Sequence, residues 1–128
     1  MPTEARNRIE RARRRRFERL VQDALAGLPD DVDAMLDNVD VVVEDEPSAL
    51  DLDGADGLFG LYQGVPLIDR GGGYSMVLPD KITVFRGPLE RAFPNRRELV
   101  RQVRITVIHE LAHHLGIDED RLDELGLA

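Results

Sequence analysis

The chain contains no cysteine. Disulfides, thiolate metal sites and cysteine nucleophiles are therefore excluded together, and any metal site must use histidine and carboxylate ligands. The chain also lacks an apolar run near the roughly 18 residues that a membrane-spanning helix needs, and it shows no signal peptide. These absences predict a cytoplasmic protein without a membrane partner.

The size and charge of the chain set its broad class. We expect the 128 residues to form one domain, residues 1–128, and the apolar share of 42% is typical of a globular protein. Seventeen basic and twenty-five acidic residues give a net charge of −8. That sign argues against a nucleic-acid partner.

Positive charge is concentrated at the N-terminus. Residues 1–20 hold eight arginines and three glutamates, whereas residues 28–56 hold eleven acidic residues and no basic one. The run Arg13 to Arg16 has two interpretations. It forms a helix face that is solvated or lies against the acidic segment, or it forms a patch that binds phosphates or an acidic partner. No aromatic residues are interleaved for base stacking, which favours the first interpretation. Because arginines near a helix start oppose the macrodipole, residues 1–16 are expected to form an extension that frays at its start.

Hydrophobic spacing predicts the order of the elements. An N-terminal helix ends at Gly27 and Pro29, and a short helix follows at residues 31–36. The apolar stripe of the N-terminal helix consists of Ile9, Phe17, Leu20, Val21 and Leu25. The expected strands are Val39–Val43, Leu58–Tyr62, residues 66–68 and Ile82–Phe85.

The longest predicted helix begins at Arg96 and ends at Gly116. Asn95 followed by Glu98 resembles a capping box, and glycine suits the left-handed conformation that commonly ends helices. The apolar side chains make such a helix central to the fold. Its core stripe consists of Val100, Val103, Val107 and Leu111, widened by Ile108 and Leu115.

This helix carries the pattern His-Glu-x-x-His at His109, Glu110 and His113. Histidines at i and i+4 project from one face, so both imidazoles can reach one metal ion. Zinc fits best, because two imidazoles, a carboxylate and a water satisfy its four-coordinate preference. Glu110, about 100° around the helix from His109, can contact a zinc-activated water as general base, which predicts amide hydrolysis. His114 lies on another face and is expected to be exposed or to support the site from outside.

A third protein ligand is expected just after the helix. Gly116 lets the chain turn, and three acidic residues follow it. Counting from His109, Glu119 occupies the third-ligand position of the extended pattern His-Glu-x-x-His-x-x-Gly-x-x-(His or Asp), and Asp118 is the next choice. The alternative is that Asp118, Glu119 and Asp120 cap a short final helix.

Three segments resemble a family of small bacterial proteins described as minimal zincin-like metallopeptidases. The matching segments are Leu58–Leu67, Leu78–Arg91 and His109–Gly116. The resemblance implies an α+β fold, in which a small mixed sheet packs on the active-site helix beside N-terminal helices, with no C-terminal subdomain. It implies zinc bound by His109 and His113, with Glu110 as base. The family's usual third residue is aspartate, and Glu119 stands at that position here.

Larger zincins lay an extended substrate along an edge strand and close the cleft with a second subdomain. Only twelve residues follow Gly116, so we expect a cleft with one wall unless a homodimer partner supplies the other. Ile82–Phe85 is the candidate edge strand for a peptide or unfolded protein substrate, with an interior position as the alternative. Tyr62 and Tyr74 are candidate oxyanion donors.

Three functions follow from these features. The first is a zinc-dependent metallopeptidase. The second is an interaction module that keeps the zincin scaffold without turnover, for which the missing subdomain is the argument. The third is a metal-dependent ribonuclease, which the arginine run favours but which resembles enzymes with three metal-binding histidines, whereas this motif supplies two.

Overall fold

The computed structural model describes residues 3–52, 58–64 and 79–126. The strand expected at residues 66–68 and the candidate donor Tyr74 lie outside these ranges. The helices are α1 (Thr3–Ala26), α2 (Asp30–Met35), α3 (Arg86–Ala92), α4 (Arg96–Leu115) and α5 (Glu119–Glu124). The strands are β1 (Val39–Glu44), β2 (Gly60–Gln63) and β3 (Asp80–Phe85).

The three described strands form one mixed sheet in the order β1-β3-β2. Strand β1 pairs with β3 in parallel, with Val41 opposite Ile82, and β2 pairs with β3 antiparallel, with Tyr62 opposite Ile82. Helix α4 packs against β2 and β3, and α1, α2 and α3 pack against α4. The predicted α+β fold, a small mixed sheet on a central helix with N-terminal helices beside it, is confirmed.

Of the two positions considered for Ile82–Phe85, the edge strand is wrong and the interior strand is confirmed. This segment belongs to β3, the central strand, whose backbone groups are engaged by β1 on one side and β2 on the other. All four residues are buried, as expected for a strand covered on both faces. Within the described ranges the sheet edges belong to β1 and β2.

Helix α1 contributes only its second half to the core. Phe17, Leu20, Val21 and Ala24 are buried, whereas Ile9 is 41% exposed and so does not continue the predicted apolar stripe. Near the helix end, Arg104 of α4 donates to the Ala24 carbonyl at 2.9 Å, as a second donor beside the Gly27 amide at 3.2 Å, and so ties the end of α1 to α4. Helix α1 begins at Thr3, and fraying of its start stays a prediction.

Helix α4 has the predicted ends. The Asn95 side chain accepts from the Glu98 amide at 3.2 Å, and Gly116 adopts the left-handed conformation with φ 76°. The Glu98 carboxylate accepts from Gln102 at 2.8 Å and makes no return bond to the Asn95 amide, so the capping box is half formed. The predicted core positions Val103, Val107, Ile108 and Leu111 are buried, as are Leu99 and Thr106, whereas Val100 is half-buried and Leu115 is exposed.

A buried arginine joins three separate parts of the chain. The Arg86 side chain, 9% exposed, donates to Glu10 of α1 at 3.0 Å, to Asp45 after β1 at 2.9 Å and to Glu90 of α3 at 2.7 Å. Burial opposes the charge of the guanidinium, but its hydrogen bonds to Asp45 and Glu90 outweigh this and raise the pKa of Arg86. Arg86 therefore stays charged and holds α1 and α3 to the end of β1.

We expect Arg86→Met to lower the free energy of unfolding by about 2 kcal/mol, because three charge-assisted hydrogen bonds are lost while the carboxylates, being half exposed, regain water. Denaturant unfolding measures the change. Arg91→Met is the control, since the Arg91–Glu46 pair is fully at the surface and is expected to matter little. An equal loss in both variants would contradict the role assigned to Arg86.

Candidate active site on helix α4

The two motif histidines lie on the solvent side of α4. His109 and His113 are both exposed, one helical turn apart. Their neighbours Ile108 and Leu111 are buried, so the core-facing stripe fixes the orientation of the helix and leaves the histidine face outside. The structure thus places both imidazoles where the i, i+4 spacing predicted.

Glu110 faces the edge of the sheet. Its Oε1 atom accepts the backbone N–H of Tyr62 at 2.8 Å. The Phe85 amide donates to the Phe59 carbonyl, and in an antiparallel ladder the hydrogen-bonded pairs alternate, so the Tyr62 N–H points away from β3. The carboxylate therefore caps an outward donor on the outer edge of β2.

Gly60 brings β2 close enough to α4 for this contact. A Cβ atom at this position would lie 2.5 Å from Thr106 Cγ2, 3.2 Å from the Thr83 carbonyl oxygen and 3.9 Å from Glu110 Cγ. No other side chain fits in that space. Glycine inside a strand marks such a close approach.

The Tyr62 side chain is held at two points. Its ring stacks on the His114 imidazole, with centroids 4.5 Å apart and planes 7° apart, and its hydroxyl donates to the Asp80 carboxylate. Burial, together with the hydrogen bond to Asp80 and the charge of Asp80, raises the pKa of Tyr62 to about 12. Because its proton is engaged with Asp80, Tyr62 does not serve here as the predicted oxyanion donor. His114 supports β2 from α4, in agreement with its expected place outside the metal ligands.

The acidic residues after Gly116 form the N-cap and the first turn of α5. Asp118 is the N-cap, and its side chain accepts from the Arg121 amide at 2.8 Å. Glu119 and Asp120 are exposed in the first turn, where carboxylates stabilise a helix. Across the described ranges no group of three or more His, Asp and Glu side chains is positioned to hold a metal ion. The structure therefore does not bring Glu119 together with the two histidines, and its role as third ligand stays a prediction.

Two of the expected ligands of a single zinc ion nevertheless have suitable chemistry. His109 and His113 are exposed and share a helix face, and the Glu110 carboxylate is turned to Tyr62. Two imidazoles with a separate carboxylate are the ligand pair and base of a catalytic zinc site. The third protein ligand is the part of the set that these contacts do not supply.

Comparison with known families places the chain. A model of the zincin-like metallopeptidase family matches residues 36–127, more than two thirds of the chain. The chain therefore belongs to the zincin-like metallopeptidase family, which confirms the resemblance seen in its motifs. The match begins at Leu36, well before the motif segments, and it leaves α1 outside. The comparison with curated proteins found no match.

Several supporting residues were missed by sequence reasoning. Gly60 was within a predicted strand, and a lone glycine there was the available signal of close packing. The Tyr62 amide and Asp80 carried no signal, because a backbone donor has no sequence signature and Asp80 adjoins Tyr62 only through the sheet.

We expect Gly60→Ala to separate β2 from α4, because its Cβ would overlap Thr106 Cγ2. The free energy of unfolding should fall by about 1–3 kcal/mol, and the Tyr62 amide should exchange with solvent faster as its bond to Glu110 lengthens. Denaturant unfolding and amide hydrogen exchange by NMR measure the two effects.

The matched control is Gly60→Ala with Thr106→Ser. Serine removes the Cγ2 atom and keeps the hydroxyl, which donates to the Gln102 carbonyl at 2.8 Å. Protection of the Tyr62 amide should largely return in the double variant. Equal exchange in both variants would show that the contact with Thr106 does not set the spacing.

We expect the titration of Tyr62 near pH 12 to be visible by ultraviolet absorbance, in a Tyr74→Phe background that leaves one tyrosine. Because the folded-state pKa is raised from 10.0, the contribution of Tyr62 to stability is complete below pH 10 and is lost as pH rises through about 12. Asp80→Asn should lower this pKa but leave it above 10.0, since burial is the largest cause. An unchanged pKa would mean that Asp80 does not contact the hydroxyl in solution.

Proposed function

We propose that the protein is a zinc-dependent peptidase. The observation that carries the proposal is the hydrogen bond between the Tyr62 amide and Glu110, which fixes the carboxylate of the residue that follows His109 on the helix turn carrying both exposed histidines. A general base must be fixed with respect to the metal ligands, and here helix and strand together fix it. Membership of the zincin-like metallopeptidase family supports the same activity.

His109 and His113 would bind the metal, with Glu119 proposed as third ligand. When bound, zinc would lower the pKa of a water molecule towards about 7 and polarise the carbonyl of the scissile peptide. The arrangement of α5 supports Glu119 over Asp118, because the Asp118 side chain already caps that helix. Glu119 is exposed and carries no hydrogen bond in the part of the chain that the structure describes.

Glu110 would move the proton. Its Oε1 atom accepts the Tyr62 amide, which orients the carboxylate and leaves Oε2 to take a proton from the attacking water. The same oxygen then gives the proton to the leaving amine, as a general acid. The stack on His114 and the bond to Asp80 keep the Tyr62 amide in place during these steps.

The outer edge of β2 is now the candidate sheet edge for binding an extended substrate, instead of Ile82–Phe85. No strand pairs with this edge among the described residues, and the edge adjoins Glu110 through Tyr62. The Tyr62 N–H on this edge is engaged by Glu110, so an extended peptide could add there through the other outward backbone groups of β2, which include the Tyr62 carbonyl. We therefore propose short peptides or unfolded protein segments as substrates, in the cytoplasm, with a homodimer partner as the candidate second wall of the cleft.

A second candidate function is an interaction module on the same scaffold without turnover. The observation in its favour is that no three-ligand metal cluster is formed within the described ranges. The two functions differ in metal content and in turnover, and both can be measured on the purified protein.

We expect the purified protein to bind close to one zinc ion, measured by elemental analysis and calorimetry. His113→Ala should lose most of the zinc because it removes one imidazole ligand, whereas His114→Ala should keep it because His114 packs on Tyr62. Zinc loss should also lower the thermal midpoint, since metal binding is linked to folding. A protein that binds no zinc, or equal zinc in both variants, would refute the site.

Turnover is tested on a peptide library with the zinc-loaded protein. Glu110→Gln keeps zinc and can still accept the Tyr62 amide, but it cannot take a proton, so we expect kcat to fall by about 10²–10⁴-fold. A structured RNA assayed in parallel tests the ribonuclease. Full zinc binding without peptide cleavage would favour the interaction module, and cleavage that survives Glu110→Gln would refute the proposed base.

A further inference from the structure

The proposed peptidase leaves the arginines of α1 unexplained. Helix α1 lies outside the residues matched by the family model. Most arginines of the described ranges away from α1 have a hydrogen-bonded or ion-pair partner, as in the contacts of Arg86, Arg91 and Arg121. On α1, by contrast, only Arg13 and Arg14 are so engaged. The described arginines without such a partner are Arg6, Arg8, Arg11, Arg15, Arg16, Arg19 and Arg97.

Four of these arginines form one line along the helix. Arg8, Arg11, Arg15 and Arg19, here named the arginine stripe, follow one another at intervals of three, four and four residues, which places them on one face. All four are exposed. Helical geometry at 100° per residue puts this face opposite the buried side of α1, and the stripe spans about 16 Å.

We propose that the arginine stripe binds the phosphate backbone of duplex nucleic acid. A line of unpaired guanidinium groups on a helix presents planar donors that match phosphate oxygens. An α-helix also has the width to follow the groove or the backbone of a duplex. Contact through phosphates carries no base information, so binding is independent of sequence.

The side chains around the stripe distinguish this partner from others. The apolar residues Phe17, Leu20 and Val21 of α1 are buried in the core, so no apolar face is left to enter a lipid surface. No aromatic residue lies on the stripe, as a protein hot spot or a single-strand stacking platform would require. The remaining chemistry is charge and guanidinium geometry, which suit a duplex backbone.

The net charge of −8 limits the contact to α1. Residues 28–56 carry eleven acidic side chains and no basic one, and they repel phosphate, so binding is weak and sensitive to salt. Four phosphate contacts correspond to a slope of about −3 to −4 in a plot of log K against log salt concentration for duplex DNA. Net charge alone disfavours a nucleic-acid partner, whereas the local charge of α1 favours one.

The test measures binding of the full chain to a 20-base-pair DNA duplex and an RNA duplex of the same length by fluorescence anisotropy across salt concentrations. The stripe variant replaces Arg8, Arg11, Arg15 and Arg19 with Gln, which has similar helix propensity. We expect its affinity to fall at least tenfold at low salt, and the salt slope to approach zero.

The charge-matched control replaces Arg13, Arg91, Arg96 and Arg101 with Gln. These side chains are 56–66% exposed and each is paired with a carboxylate, so the same net charge is lost with little effect on folding. The control should bind within about threefold of the unaltered chain. Circular dichroism and thermal unfolding check that both variants fold.

Three results would overturn the proposal. The unaltered chain could fail to bind either duplex at low salt, or the control could lose as much affinity as the stripe variant, which would reduce the effect to net charge. Binding to anionic lipid vesicles or to an acidic polypeptide with equal strength, and with the same dependence on the stripe, would assign the surface to another polyanion. Preference between the DNA and RNA duplexes identifies which source of phosphate the stripe takes.

Discussion

The hydrogen bond from the Tyr62 amide to Glu110 is the contact on which the candidate site depends. It joins the outer edge of the sheet to the helix that carries the histidines. Its geometry requires Gly60, because any side chain there would collide with Thr106. It also requires a fixed Tyr62, whose ring lies on His114 and whose hydroxyl is bound to Asp80. Strand and helix therefore position the carboxylate together.

Different faces of helix α4 contact the core, the solvent and strand β2. Val103, Val107 and Leu111 are buried in the core, and this hydrophobic contact sets the rotation of the helix. Once the rotation is set, His109 and His113 lie on the solvent side, whereas the positions of Glu110 and His114 meet β2. A site of this kind needs a helix whose apolar stripe is strong enough to resist rotation, since a turn of one residue would exchange the ligand face and the base face.

Charged side chains are paired in some elements of this protein and unpaired in others. The buried Arg86 pairs with three half-exposed carboxylates and joins α1, α3 and the end of β1, so part of the acidic excess is engaged in holding the fold together. The outer face of α1 lacks such partners. Net charge is consequently a poor guide to partners here, because interaction depends on the local field within about 10 Å, the screening length at 0.1 M salt.

Local signals were sufficient for α1, α2, α4 and the three described strands and for the pair of histidines, but they did not predict helix α3. Asn95 and Gly116 mark the ends of α4 because capping is a matter of neighbouring backbone groups, and the i, i+4 histidines share a face on any helix. The sequence by itself therefore determined a capped helix with a buried apolar stripe that bears His109, Glu110 and His113, and it indicated the family to which the chain belongs. Only the tertiary structure decided the rest. It made Ile82–Phe85 the central strand. It also placed a backbone amide against Glu110, because strand order and contacts between distant segments arise from packing that no local pattern encodes.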